Sequence, residues 1–473
     1  MKQLMTKWAD NINEKNVLGE YPRPLMRRKS YVNLNGIWKY AIRETKGFPK
    51  KMDGDILVPF SPEAVLSGVN RQLKPEEYLW YKRRLPDEVK PEKGSRWILH
   101  FGAVDQCAVV YINGKKQGKH VGGYLPFSYD ITEALKEEKN LLTVKVRDYS
   151  ETCYYSRGKQ KLKNGGMFYT AQSGIWQTVW IEKVPECYIG HLKITPLYDQ
   201  SSIMIQMEEE HGIKDIDYEV TITARKMWPV KASGKTGKPC VIMIPHMRSW
   251  SPEDPFLYDL HVRMGEDSVE SYFAMRKVEV KNDKEGIPRI FLNNEPYFEK
   301  GVLDQGYWPD GLYTPPCDEA MIYDIQKMKD LGFNMIRKHI KIEPQRWYYH
   351  CDRIGMLVWQ DMVNGGGKMN QWYVTYLTNA LLPLLRHTPD AKPLWGLLGR
   401  ETEASRESYQ TELKATVEAL RCHPCIGCWV PFNEGWGQFD ARAATAALRA
   451  LDDTRLIDEA SGWYDQGGGD VDS

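Results

Sequence analysis

Near residue 281 the hydrophobic pattern changes its repeat, and that change excludes a fold of one structural class. Before it, apolar and polar residues alternate at every second position. Leu142-Thr143-Val144-Lys145-Val146-Arg147, Tyr218-Glu219-Val220-Thr221-Ile222 and Tyr258-Asp259-Leu260-His261-Val262 are clear cases. Such alternation belongs to strands with one buried face. After it, short apolar runs alternate with segments of helical spacing, as in a parallel sheet or barrel. The chain is therefore expected to be multidomain, β followed by α/β, and 473 residues accommodate about three domains.

Residues 1–185 read as a β-sandwich, with strands at Arg96–Phe101, Val109–Ile112, Leu142–Arg147 and Trp176–Ile181. The Asn113-Gly114 pair that follows the apolar run Val109–Ile112 predicts a tight hairpin. Residues 186–280 read as a second, immunoglobulin-like β-sandwich. From 281 to 473, strands are predicted at Phe298–Leu303, Phe333–Ile336, Met356–Trp359, Ile426–Phe432 and Arg455–Ala460. Helices are predicted from Asp318 to Gly332, over Gln345–Ile354 and over Ala441–Leu451. The stretch Asn370–Arg421 reads as an inserted helical pair. Five strand–helix units in roughly 190 residues fall short of the eight units and about 250 residues of a complete (β/α)8 TIM barrel, so an incomplete barrel is expected.

Composition removes other classes of function. The net charge is +1, which argues against nucleic acid as a partner. No apolar run reaches the length of a membrane span, and the N-terminal stretch has no leader-like apolar core, so a cytoplasmic location is expected. Nine cysteines without a leader read as reduced thiols. Cys422, Cys425 and Cys428 have the spacing of a cluster motif, but Cys428 falls in an apolar strand and no fourth cysteine follows. No metal and no cofactor are expected.

In a barrel, chemistry gathers at the C-terminal ends of the strands. Those ends carry Asp304, then Arg337 and His339, then Asp361, then Asn433-Glu434-Gly435-Trp436, then Asp458 and Glu459. Carboxylates, amides, a histidine and tryptophans on one rim suit a sugar. The stretch Trp429–Trp436 delivers Glu434 beside tryptophan. An apolar pocket there would raise its pKa, which a general acid at a glycosidic oxygen requires.

These segments resemble glycoside hydrolase family 2, the family of β-galactosidases, β-glucuronidases and β-mannosidases. Asn433-Glu434 resembles the family's acid/base motif. Asn334-Met335-Ile336-Arg337-Lys338-His339 resembles its Asn-x-x-Arg-x-His segment, and Met356–Asp361 its third-strand segment. Ser173-Gly174-Ile175-Trp176 resembles the motif joining the first sandwich to the barrel. Asn35-Gly36 with Trp38, and Gly123-Tyr124-Leu125-Pro126-Phe127, resemble the sandwich itself. The resemblance implies a jelly-roll first sandwich and a retaining exo-β-glycosidase acting on a glycoside or oligosaccharide. It implies Glu434 as acid/base, Asn433 on the sugar 2-hydroxyl, and Arg337 and His339 at the sugar subsite. Asp304, Asp361 and Trp436 complete the candidate substrate-binding set. A homo-oligomer is also within the family's habit.

Two departures stand against the pattern. The family's nucleophile glutamate lies on a seventh strand, and only five are read here. Glu459 is adjacent to the acid/base strand instead of opposite it, so it is a poor substitute where two carboxyls must lie about 5–5.5 Å apart. The segment Met167–Gln172 also lacks the acid that several relatives place before the Ser-Gly-Ile motif. The alternative is an inactive carbohydrate-binding chain, and no measurable hydrolysis by residues 1–473 is expected.

Overall fold

The computed structural model describes residues 4–473; the first three residues, part of the stretch read for a leader, lie outside it. The first sandwich packs a six-stranded antiparallel sheet on a four-stranded one. Leu79, Tyr81, Leu99, Phe101, Val110 and Val144 fill the space between them. Leu141–Arg147 lies centrally, paired with Cys107–Ile112 and Tyr78–Arg84, so its alternation buries one face. Asn113 and Gly114 both have positive φ, 52° and 82°, as a hairpin matched to strand twist requires. The second sandwich joins sheets of three and four strands. Tyr258–Met264 alternates strictly between buried and exposed.

The third region is a parallel sheet of five consecutive strands: β1 (Gly301–Asp304), β2 (Met335–Lys338), β3 (Leu357–Asp361), β4 (Ile426–Val430) and β5 (Leu456–Ile457). Helices α1 (Asp318–Asp330), α2 (Gln345–Ile354), α3 (Glu403–Leu420) and α4 (Ala441–Leu451) make the crossovers. β3 and β4 are buried at every residue, as strands covered on both faces are. An antiparallel sheet over Val278–Pro296 packs Val278 and Leu292 against Trp359, Cys428 and Leu456.

Several sequence expectations shift: β1 starts at Gly301, not Phe298, and β5 spans only Leu456–Ile457. β2 starts at Met335, not Phe333, because residues 331–334 form a turn. There Gly332 takes a φ of 90° and Asn334 donates to the Phe298 carbonyl. The stretch Asn370–Arg421 is not an inserted helical pair. Its first half is a run of short helical pieces, Trp372–Leu377, Thr378–Ala380 and Leu382–Leu385, and Pro389 and Pro393 keep it from continuing as one helix, because proline removes the helical N–H. Its second half is α3, capped by Thr402, and this is the crossover between β3 and β4.

Asp318 opens α1 and ties it to α2. It accepts from Arg346 Nε at 2.6 Å and from His350 Nε2 at 2.8 Å. Burial works to raise its pKa, but Arg346 and His350 prevail and hold it at about 2. A depressed folded pKa gives stability that is present above the unfolded value, near 3.9, and lost as pH falls towards 2. Asp318→Asn is expected to lose about 2–3 kcal/mol at pH 7. In urea melts the gap to the parent should close between pH 4 and pH 2.

A candidate active site on the barrel rim

β4 ends in a tight turn. Asn433 is buried, Glu434 is exposed with φ +51°, and Gly435 follows with φ +73°. A non-glycine residue in the left-handed region stores strain of about 1–3 kcal/mol, which persists where the surroundings fix it. A Cβ on Gly435 would lie 2.5 Å from the Tyr464 ring, so the turn admits only glycine there. The turn lifts Glu434 off the rim into solvent. The apolar enclosure expected from the sequence is absent, because Trp436 turns into its own cluster with Val374, Leu398 and Tyr464.

Beneath Glu434 lies a network built from neighbouring strand ends. Arg337 Nε donates to Asp361 Oδ1 at 2.9 Å, and Arg337 Nη2 donates to Asn433 Oδ1 at 3.0 Å. His339 Nδ1 lies 2.9 Å from Asp361 Oδ2. Asn433 Nδ2 donates to Glu434 Oε2 at 3.3 Å. β2, β3 and β4 thus bring Arg337, His339, Asp361, Asn433 and Glu434 together. Asp361 is the hub, and Asn433 is oriented by Arg337.

The other candidates are placed differently. Asp304 caps its own loop through Gly306 N and pairs with Lys338 Nζ at 2.7 Å. Burial would raise its pKa, but Lys338 holds it below the usual range. Asp458 receives Ser473 Oγ at 2.5 Å and Ser461 N; burial pushes it up to about 6. Glu459 is buried and accepts from Gln466 N and Thr445 Oγ1. Trp436 stacks on Phe168 at 5.6 Å and is too buried to be an open sugar platform. Trp308 meets Trp8 edge to face. Cys428 is buried in β4 and Cys422 lies against the second sandwich at Ile194. Among the described residues no group of three His, Cys, Asp or Glu could hold a metal.

The first sandwich reaches this rim through a strap, Tyr154–Lys161. Arg157 N and Gly158 N both donate to the Asn364 carbonyl, and Gly366 N donates to Tyr154 O. Arg157 Nη1 donates to Gly366 O at 2.6 Å. The strap therefore pairs with the loop after β3. It carries Lys159 into the field of Glu434 and Asp361: burial lowers the Lys159 pKa and the two carboxylates oppose that. Nothing local in the sequence marks Lys159, since its partners lie some two hundred residues away. Trp176 completes the junction. Ile175 is in the sandwich core, whereas Trp176 is in the barrel core, donating to Gly123 O and accepting from Thr314 Oγ1.

Gly158 is the tightest point of the strap. Its φ is +59°, and a Cβ would lie 2.9 Å from the Ile340 carbonyl. Gly158→Ala is expected to cost about 1–3 kcal/mol in urea denaturation, through the positive φ and the displaced contact.

Among the described residues no helix is long and apolar enough to cross a membrane. Three family models match the chain. They are described as glycosyl hydrolases family 2, sugar binding domain, over residues 68–185; glycosyl hydrolases family 2, over 187–276; and glycosyl hydrolases family 2, TIM barrel domain, over 317–466. A β-galactosidase of Thermoanaerobacter pseudethanolicus is 24% identical over 449 residues, 87% of this chain and 53% of that one. A β-glucuronidase of Streptococcus agalactiae is 24% identical, over 88% of this chain and 68% of its own length. A solved β-glucuronidase from an uncultured Clostridium superposes with a TM-score of 0.71 at 21% identity, covering 92% of this chain and 73% of that one. That likeness is one of fold. The chain spans about half the length of the first curated relatives it matches.

Proposed function

Because this chain belongs to family 2 of the glycosyl hydrolases, we propose that its rim performs the proton-transfer half of β-glycoside hydrolysis by a retaining, exo-acting mechanism. Glu434 donates its proton to the glycosidic oxygen as the bond to the anomeric carbon breaks. It then takes a proton from the water that releases the sugar. Asn433, held by Arg337, meets the sugar 2-hydroxyl. Asp361 fixes Arg337 and His339 so that both can face the ring hydroxyls, with Asp304 at the edge of the same subsite and Trp436 setting the position of the Glu434 turn.

The observation that carries this reading is the turn at Glu434: an exposed carboxylate on strained backbone, above a network of three strand ends. The attacking carboxylate is proposed to come from outside β1–β5. Asp361, Asp304, Asp458 and Glu459 each already hold a donor at hydrogen-bond distance. β-Galactosides and β-glucuronides are the first substrates to test, since relatives carry those names.

The 473-residue chain is expected to release no phenol from phenyl β-glycosides alone. With molar azide, which can attack the anomeric carbon in place of a carboxylate, release is expected, with an α-glycosyl azide as the sugar product. Steady release without azide would overturn the assignment of the missing nucleophile. The engaged carboxylates also favour a second reading, saccharide binding without cleavage. It predicts binding with no release under either condition.

A further inference from the structure

The strap and the loop after β3 enclose a cleft of about 1090 Å³ that begins at Trp436, two residues past Glu434. Phe168 and Trp436 line one side as a stacked pair. Arg157, Lys161, Lys163 and Lys368 supply four positive charges, against the acids Glu151 and Glu401. Glu151 is already occupied, accepting from Leu162 N at 2.9 Å and from Ser150 Oγ. Lys161 Nζ lies 3.6 Å above the Phe168 ring centroid, and among the described residues no carboxylate lies within salt-bridge distance of Lys161, Lys163 or Lys368. Three ammonium groups without a carboxylate partner, one of them over the Phe168 ring, in a concave space, match a saccharide that carries negative charge.

We propose that this cleft is the leaving-group subsite for an acidic saccharide, with its carboxylate or sulfate groups facing Lys161, Lys163 and Lys368. The term leaving-group rests on Glu434 being the proton donor; the charge preference rests on the cleft alone. Lys161 ends the strap, Lys163 follows it in the first sandwich and Lys368 lies on the loop after β3, so the two units together select what departs from the sugar.

The test is calorimetric titration of the full chain with cellotetraose, its C6-carboxylated form and its C6-sulfated form. These share one backbone and differ only in charge. At low salt one or both acidic forms are expected to bind at least about tenfold tighter than the neutral one, the sum of several modest charge contacts. Which acid gains names the source of the charge. The triple variant Lys161→Ala, Lys163→Ala, Lys368→Ala should erase the gain, with an unchanged melting curve showing that it folds. Equal binding of all three sugars, or a gain that survives in the triple variant, overturns the proposal. Should the gain be lost as expected while Glu434→Gln leaves azide-dependent release intact, the acidic-saccharide site stands and the proton-donor assignment falls.

Discussion

Glu434→Gln is expected to lower azide-dependent phenol release by roughly 10²–10⁴-fold, the range that a positioned general acid contributes. The loss should depend on the leaving group. Phenol departs as a poor anion and needs the proton; dinitrophenol departs without one, so its release should fall far less. The amide keeps the shape of Glu434 and can still meet Asn433, so the strained turn should survive and melting should barely move. Equal losses for both leaving groups would assign Glu434 to binding, and no loss for phenol would remove it from the chemistry. The measurement is kcat for the two aryl glycosides in parent and variant.

Glu182→Ala is expected to be the most damaging single change to stability. Its fully buried carboxylate accepts from Tyr21, from Arg23 and Arg28 at 3.1 and 3.0 Å, and from Trp180 Nε1 at 2.9 Å. Arg28 also spans to Asp267 of the second sandwich at 2.8 Å. Removing the carboxylate leaves a buried guanidinium short of a partner, a class of change that costs about 3–5 kcal/mol. Burial works to raise the Glu182 pKa, yet Arg23, His100 and Arg28 hold it well below the ordinary range. Its contribution is therefore present above the unfolded pKa, near 4.3, and is lost as pH falls. Urea unfolding at pH 7 should show the full deficit, and acid should narrow it. A deficit under about 1 kcal/mol at pH 7 would mean that the arginines find water or Asp267 instead.

What the sequence revealed depended on the range of each interaction. Tyr258–Met264, which alternates strictly, was legible because one face is buried, and Leu141–Arg147 because its apolar positions Leu142, Val144 and Val146 are buried at every second residue. β3 and β4 were legible because both faces are. The site was legible where it sits on strand ends, so Arg337, His339, Asp361, Asn433 and Glu434 fall together. Enclosure was not legible. The direction in which Trp436 points is set by a turn requiring positive φ at Glu434 and Gly435, and by packing on Phe168 from another unit. Lys159 and the strap were invisible for the same reason: their partners, Asn364 and Gly366, are distant in sequence. Asp304 was read as a rim acid, but Lys338, the last residue of β2, claims it.

The pairing of Tyr154–Lys161 with the loop after β3 bears on how such proteins can be recombined. A chimaera that exchanges the first sandwich and leaves the barrel in place would import a foreign strap onto Asn364 and Gly366. On the cleft assignment proposed above, it would then inherit the donor's preference for the departing group. Grafting the strap and its docking loop as a pair is the smaller exchange, and the one that leaves both cores intact.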